Sequence, residues 1–238
     1  MLINRPITTL FLLTSLDGKI STSNIDSRDN DKDLRRVEGV REGIQQYYDL
    51  EQKTDLVSLN TGRVMAKIGI NKRKNEPKKM IVDFVIIDNK PHLKKSGLIY
   101  LSKWVKNLYL VTNNKNHPAF KLKLDNIKII YYPGRINFDN LFIKLKKEYK
   151  INKITIQSGG MLNATLLRKK LIDKISLVIA PCLIGGSNTP TLIDGDCIRK
   201  ENELLNIKAL KLNSCHVLKH SYLHLTYDVI KDTNLKDN

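Results

Sequence analysis

An α/β fold, with a mostly parallel central sheet, flanking helices and antiparallel strands at its C-terminal edge, is what the 238-residue sequence predicts. Short β-branched runs alternate with amphipathic helical segments along most of the chain, the pattern of parallel strands joined by crossover helices. Several of those runs stop at glycine pairs or polar turns, where sheets of this kind gather their ligand-binding loops. The closing runs, residues 207–212 and 217–229, have no helix between them and so are expected to pair antiparallel.

Taken in order, Ile7-Thr8-Thr9-Leu10-Phe11-Leu12-Leu13 has the composition of a strand buried on both faces. It ends in the polar turn Ser15-Leu16-Asp17-Gly18-Lys19. Residues 21–31 read as a loop, and a helix is expected over 32–50 with Val37, Val40, Ile44 and Tyr47 on its buried face. A short strand over 55–59 meets Asn60-Thr61-Gly62-Arg63, followed by Val64, Met65, Ile68 and a lysine-rich loop to Lys79. Residues 80–87 read as a strand ending at Asp88. A helix near 98–105, strands over 108–112 and 127–132, and a helix over 138–149 follow.

The most informative stretch comes next. Ile154-Thr155-Ile156-Gln157-Ser158 breaks at Gly159-Gly160 and opens into Met161-Leu162-Asn163, with Leu162, Leu166, Leu167 and Leu171 at helical spacing. Glycines there let backbone N–H groups approach a ligand, and the helix start favours an anion such as a nucleotide phosphate. The same glycines also serve a plain α/β turn, and the pattern alone leaves both open. The next strand, 175–180, ends at Pro181-Cys182-Leu183-Ile184-Gly185-Gly186, a second glycine pair.

Hydrophobic residues at 41% and charged residues at 27% are globular values, and no Pro-, Gly- or Ser-rich linker or internal repeat divides the chain. Residues 1–238 are therefore expected to form a single domain. Met1 to Pro6 has no basic n-region or cleavage site, and no apolar run reaches membrane-spanning length, so a soluble cytoplasmic protein is expected. Cys182, Cys197 and Cys215 are odd in number and lack metal-ligand spacing, which reads as reduced thiols. His216 and His220 have helical chelate spacing but sit in strand-like sequence, so no metal is expected. The net charge of +17 is spread from Lys67 through Lys170 among many Asn and Ile residues, which reads as a compositional habit. Aromatics at 6% are too few for a base-stacking platform, so nucleic acid is not expected as a partner, and the charge is left to attract small polyanions.

Ser15-Leu16-Asp17-Gly18-Lys19, Gly159-Gly160-Met161-Leu162-Asn163-Ala164, Leu171-Ile172-Asp173-Lys174 and Ala180-Pro181 to Gly185-Gly186 together resemble the reductase domain of the bifunctional riboflavin-biosynthesis deaminase-reductases. That domain is of the dihydrofolate-reductase-like superfamily. The resemblance implies an NADPH-dependent reductase like the 5-amino-6-(5-phosphoribosylamino)uracil reductase of riboflavin biosynthesis, acting by hydride transfer on a small ribosylated or heterocyclic substrate, and a homodimer. It implies cofactor contacts at Ser15, at Asn60, Thr61, Gly62 and Arg63, and at Ser158, Gly159, Gly160, Met161 and Leu162. Arg63 is the candidate for the 2′-phosphate, since its planar fork bonds phosphate bidentately. Asp17 and Lys19 are the catalytic candidates, and Asp17, Asp88, Leu183 and Gly185 are the substrate-binding candidates. The chain lacks the Asp-Pro-containing loop these reductases carry after the Gly-Arg pair. It also lacks the His-x-Glu and Pro-Cys-x-x-Cys zinc signature of their deaminase.

A pterin or folate reductase of the same fold is the sister reading, disfavoured because the first helix shows no obvious acidic residue in an apolar setting, with Glu38 and Glu42 left open. From other classes, a basic nucleic-acid-binding module and a cofactor-binding protein without catalysis remain as alternatives.

Overall fold

The computed structural model describes residues 4–235; Met1–Ile3 and the last three residues lie outside the described part. The chain forms two compact units, one of residues 1–7 and 55–158 and the other of residues 8–54 and 159–238.

The first unit is an all-parallel sheet with its connecting helices. Its strands are β2 (Val57–Thr61), β3 (Asp83–Ile87), β4 (Leu108–Thr112), β5 (Ile127–Tyr131) and β6 (Lys153–Ile156), in the spatial order β5-β4-β3-β2-β6. The helices are α3 (Gly62–Lys67), α4 (Lys95–Trp104) and α5 (Phe138–Lys147). Continuous apolar runs such as β4 are buried at every residue, as strands covered on both faces must be. Ile86, Leu93, Leu98, Leu101, Leu108 and Leu110 are fully enclosed in one cluster on the α4 side of the sheet.

The second unit holds β1 (Ile7–Ser15), α1 (Asn30–Asp33), α2 (Gln45–Glu51), α6 (Gly160–Arg168), β7 (Lys174–Ala180), β8 (Leu210–Val217) and β9 (Leu223–Val229). β1 and β7 are parallel, with Thr9 opposite Lys174 and Ser15 opposite Ala180. β7, β9 and β8 continue antiparallel, as the absence of an intervening helix predicts, with an irregularity between Leu212 and Ser214.

The expected helix over 32–50 is corrected. The segment holds α1, a 3-10 turn at Leu34–Arg36, a run of turns, and α2. Gly39 adopts a left-handed conformation (φ 82°), and the Tyr222 hydroxyl donates to the Val40 carbonyl at 2.7 Å, occupying an acceptor a continuous helix would use. Val40, Ile44 and Tyr47 are buried as expected, whereas Val37 is 45% exposed. The strand expected from residue 80 begins at Asp83, because Met80 N instead bonds the Trp104 carbonyl. β2 runs on to Thr61, so Asn60 and Thr61 end a strand. The histidines at 216 and 220 are separated by structure as well as spacing: His216 lies on β8 and His220 in the turn before β9.

Candidate functional site

In the second unit, β1 ends at buried Ser15 and the chain turns sharply at Gly18 (φ 75°). Asp17 uses that turn to fasten a neighbouring loop. Its carboxylate accepts from Ser15 Oγ (2.5 Å), Ile184 N (3.1 Å) and Gly185 N (2.6 Å). The Ser15 hydroxyl above all, with the Gly185 and Ile184 amides, holds the Asp17 carboxyl down at about 2. An acid so strong is ionised throughout the neutral range and carries no proton to give. In this geometry the Asp17 carboxylate positions the loop that carries Ile184 and Gly185. Gly185 takes a left-handed conformation (φ 70°) and offers its N–H to Asp17, while Leu183 is 74% exposed on the same loop. Lys19 Nζ donates to the carbonyls of Gly186 (2.9 Å) and Thr189 (3.3 Å).

The same loop system reaches α6. Lys19 bridges Thr191, Ile20 N bonds the Pro190 carbonyl, Leu192 N bonds the Gly18 carbonyl, and Asp194 N bonds the Gly160 carbonyl, at 3.0–3.1 Å. Ser15, Asp17, Lys19, Gly185 and Gly160 are thus joined in one hydrogen-bonded assembly. The glycine pair divides its duties within it. A side chain at Gly159 would meet open space, whereas one at Gly160 would overlap the Thr191 carbonyl and the Asp194 carboxylate. Gly160 is required by the protein's own packing, and Gly159 is the residue with room for a ligand. Leu162 N bonds back to the Gly159 carbonyl at 3.0 Å, which removes it from the expected set of phosphate donors. Among the described residues, the N–H groups of Gly160 and Met161 have no backbone partner, and they lead a helix of nine residues.

Asp194 and Thr191 went unnoticed in sequence. Asp194 Oδ1 accepts from Thr191 N (2.9 Å) and Thr191 Oγ1 (2.7 Å), making a small turn that braces the start of α6. Asn163 Nδ2 adds a bond to the Leu192 carbonyl at 2.9 Å. The signal was available in Thr191-Leu192-Ile193-Asp194-Gly195, a Thr-x-x-Asp-Gly turn signature. A cavity of 540 Å³ opens beside this brace, between α6 residues such as Met161 and Arg168 and loop residues such as Thr189 and Ile207.

In the first unit, Asn60 is buried at the end of β2 and donates to Ser58 Oγ at 2.7 Å. Thr61 caps α3, its hydroxyl accepting from Val64 N at 3.3 Å, and Arg63 is exposed in the first turn. Ser158 is buried at the end of this unit's chain. Asp88 is corrected from a substrate contact to an internal anchor. Its enclosed carboxylate accepts from Leu93 N (3.0 Å), His92 N (3.1 Å), His92 Nδ1 (3.0 Å) and His117 Nε2 (3.1 Å). Burial pushes its carboxyl up, and the bonds from His117, Leu93 and His92 outweigh that, leaving it below the usual carboxylate range. His117 Nδ1 accepts from Ala119 N at 3.2 Å, so its proton sits on Nε2, facing Asp88. Any side chain at Gly62 would overlap the Asp88 carboxylate, so the glycine of the Asn60 to Arg63 turn is demanded by this anchor.

Against this geometry, a family model described as the RibD C-terminal domain matches residues 6–222. The chain is 30% identical over 134 residues to an Aquifex aeolicus protein named 2,5-diamino-6-ribosylamino-4(3H)-pyrimidinone 5′-phosphate reductase, covering 50% of this chain and 58% of the relative. A protein of the same name in Methanothermobacter thermautotrophicus is 23% identical over 241 residues, 98% of this chain and 99% of the relative. Acinetobacter baumannii RibD shares the fold, with a TM-score of 0.64 at 15% identity over 96% of this chain and 59% of that one.

Proposed function

Because the chain belongs to the RibD C-terminal domain family, we propose that it is an NADPH-dependent reductase that turns the ribosyl group of a ribosylaminopyrimidine 5′-phosphate into a ribityl chain. The family points to a nicotinamide cofactor, and the observation that carries the reading here is Gly159. It caps α6 with open space in front of it, beside the N–H groups of Gly160 and Met161, as a phosphate cradle requires. These donors would hold the diphosphate. In the first unit, family resemblance makes the exposed Arg63 the candidate for the 2′-phosphate and so for a preference for NADPH over NADH. When bound, the cofactor supplies the hydride; the protein's task is orientation and the proton.

Asp17, ionised and bonded to Ile184 and Gly185, fixes the loop carrying Leu183 and so shapes the edge of the substrate site. Lys19, whose Nζ donates to the Gly186 and Thr189 carbonyls, is the other catalytic candidate of that loop. The relatives' names favour the 2,5-diaminopyrimidinone over the deaminated uracil as substrate. We further propose a homodimer through β8, an eight-residue edge strand with Leu210, Leu212 and Val217 exposed. A cytoplasmic location belongs with this reading, and among the described residues no helix is long and apolar enough to cross a membrane.

The test is NADPH oxidation by the purified protein with each pyrimidine phosphate in turn, alongside fluorescence titration of NADPH and NADH. Turnover of the diamino compound with tighter NADPH binding is the expected result. Absence of cofactor binding and of turnover on both compounds would sink the proposal.

A further inference from the structure

The positive charge of this protein is not shared between its two units. Residues 1–7 and 55–158 contain 23 lysines and arginines against 7 aspartates and glutamates, net +16, whereas residues 8–54 and 159–238 contain 18 against 17, net +1. A lysine-rich composition acting alone would load both units and would not thin the acids in one of them. The basic run from Lys67 onward thus lies mostly in the first unit, and composition alone does not account for it.

Within that unit residues 72–106 carry ten basic side chains, every one of them exposed. The three acids of the segment do little to offset them. Asp88 is buried, Asp83 accepts from Asn107 N and Nδ2 at 3.0 and 2.9 Å, and Glu76 pairs with Lys103 at 3.0 Å. The surface is also built rather than loose. Asn71 ties the loop to the start of α4, donating to the His92 carbonyl (2.8 Å) and accepting from Lys94 N (2.8 Å), while its carbonyl accepts from Ser96 Oγ (2.9 Å). Further along, the Arg73 guanidinium lies 5.5 Å over the Tyr100 ring and 5.2 Å over the Trp104 ring. The loop is thus pinned at the start of α4 and again near its end, a length of about 15 Å for a ten-residue helix. Duplex nucleic acid presents a charge every ~1.7 Å of its axis, so a surface of that length meets several phosphates.

We infer that this loop-and-helix face binds the phosphodiester backbone of nucleic acid without reading bases. A bilayer surface fits it less well, because α4 turns Leu98, Leu101 and Val105 into the core and keeps no apolar stripe to insert. Base reading is not built in either: Tyr100 is buried, and Arg73 lies over both it and Trp104. The inference is independent of the reductase reading, and its test reads binding directly.

The experiment measures anisotropy of a fluorescein-labelled 20-base-pair duplex of arbitrary sequence from 50 to 200 mM salt, with NADPH oxidation followed separately. Contact with four to six phosphates predicts an affinity loss of roughly 150- to 2000-fold over that range. Joint substitution Lys72→Gln, Lys74→Gln, Lys78→Gln and Lys79→Gln should weaken binding at least tenfold and flatten the salt slope, leaving the melting temperature and turnover unchanged. The charge-matched control Lys53→Gln, Lys169→Gln, Lys211→Gln and Lys219→Gln in the other unit should stay within twofold of the parent. Equal weakening by both sets would reduce the effect to bulk charge and overturn the proposal. So would absence of duplex binding at 50 mM salt, or retention by phosphatidylserine vesicles alone.

Discussion

Each unit of this protein fastens its loops with a carboxylate at a strand end, and the two carboxylates differ in their access to water. Asp88, at the tip of β3, is enclosed and accepts from two backbone amides and two imidazoles. Asp17, just beyond β1, is exposed and accepts from two backbone amides and a hydroxyl. Both are held below the ordinary carboxylate range by their donors. Burial makes the first an architectural member, since losing it strands the fully buried donors of Leu93 and His117. Exposure leaves the second to shape a loop open to solvent, at small cost if it is lost.

Breaking the buried anchor should have the largest effect. Asp88→Asn sets an NH2 against donors that need an acceptor, and a loss of about 3 kcal/mol is expected by chemical denaturation. Gly62→Ala, which forces a methyl onto the same carboxylate, should destabilise comparably. If either variant melts like the parent, the anchor is not what holds this end of the first unit.

The glycine pair gives the next contrast. Gly160→Ala pushes against the Thr191 carbonyl and should lose roughly 2 kcal/mol, while Gly159→Ala, in open space, should stay within about 0.5 kcal/mol. Only the Gly159 variant separates ligand from packing: it is expected to weaken NADPH binding tenfold or more in a protein of parental stability. Unaltered NADPH affinity there would remove the phosphate cradle from the second unit.

Asp17→Asn is expected to cost less, about 1 kcal/mol or below, because its carboxylate is open to solvent. Turnover should fall by roughly tenfold through kcat, with a pH profile from 5 to 9 of unchanged shape, as a positioning role requires. A lost ionisation limb in that profile would restore Asp17 as the proton-transfer group.

The smallest effect is on acid stability. A carboxyl lowered in the folded state contributes stability that is present above its unfolded value of 3.8 and disappears as pH falls towards 2. Asp17→Asn should therefore differ from the parent near neutrality and converge with it between pH 4 and 2. A constant gap across that window would mean the carboxylate's charge contributes nothing.

The order of strands and helices was legible because each buried parallel strand is a continuous apolar run, and because α5 and α6 alternate their apolar residues at helical spacing. The residues of β4 were readable without error for the same reason. The segment over 32–50 was not: the chain leaves the helix at Val37 and Gly39, and Tyr222, far away in sequence, docks on the Val40 carbonyl just beyond. Among candidate site residues, the Asp17 turn and the glycine pairs announce themselves by local chemistry. Asp194 was overlooked because its meaning lies in contact with Gly160, 34 positions earlier.

By itself, then, the sequence determined the α/β class, the loops that matter and the family resemblance, all of which rest on short-range pattern. Tertiary structure decided which of two adjacent glycines has open space before it, which of two aspartates is buried, and that the excess charge lies in one unit. Those are questions of what stands next to a residue in space, and burial and neighbours set the strength of a hydrogen bond or a charge far more than residue type does.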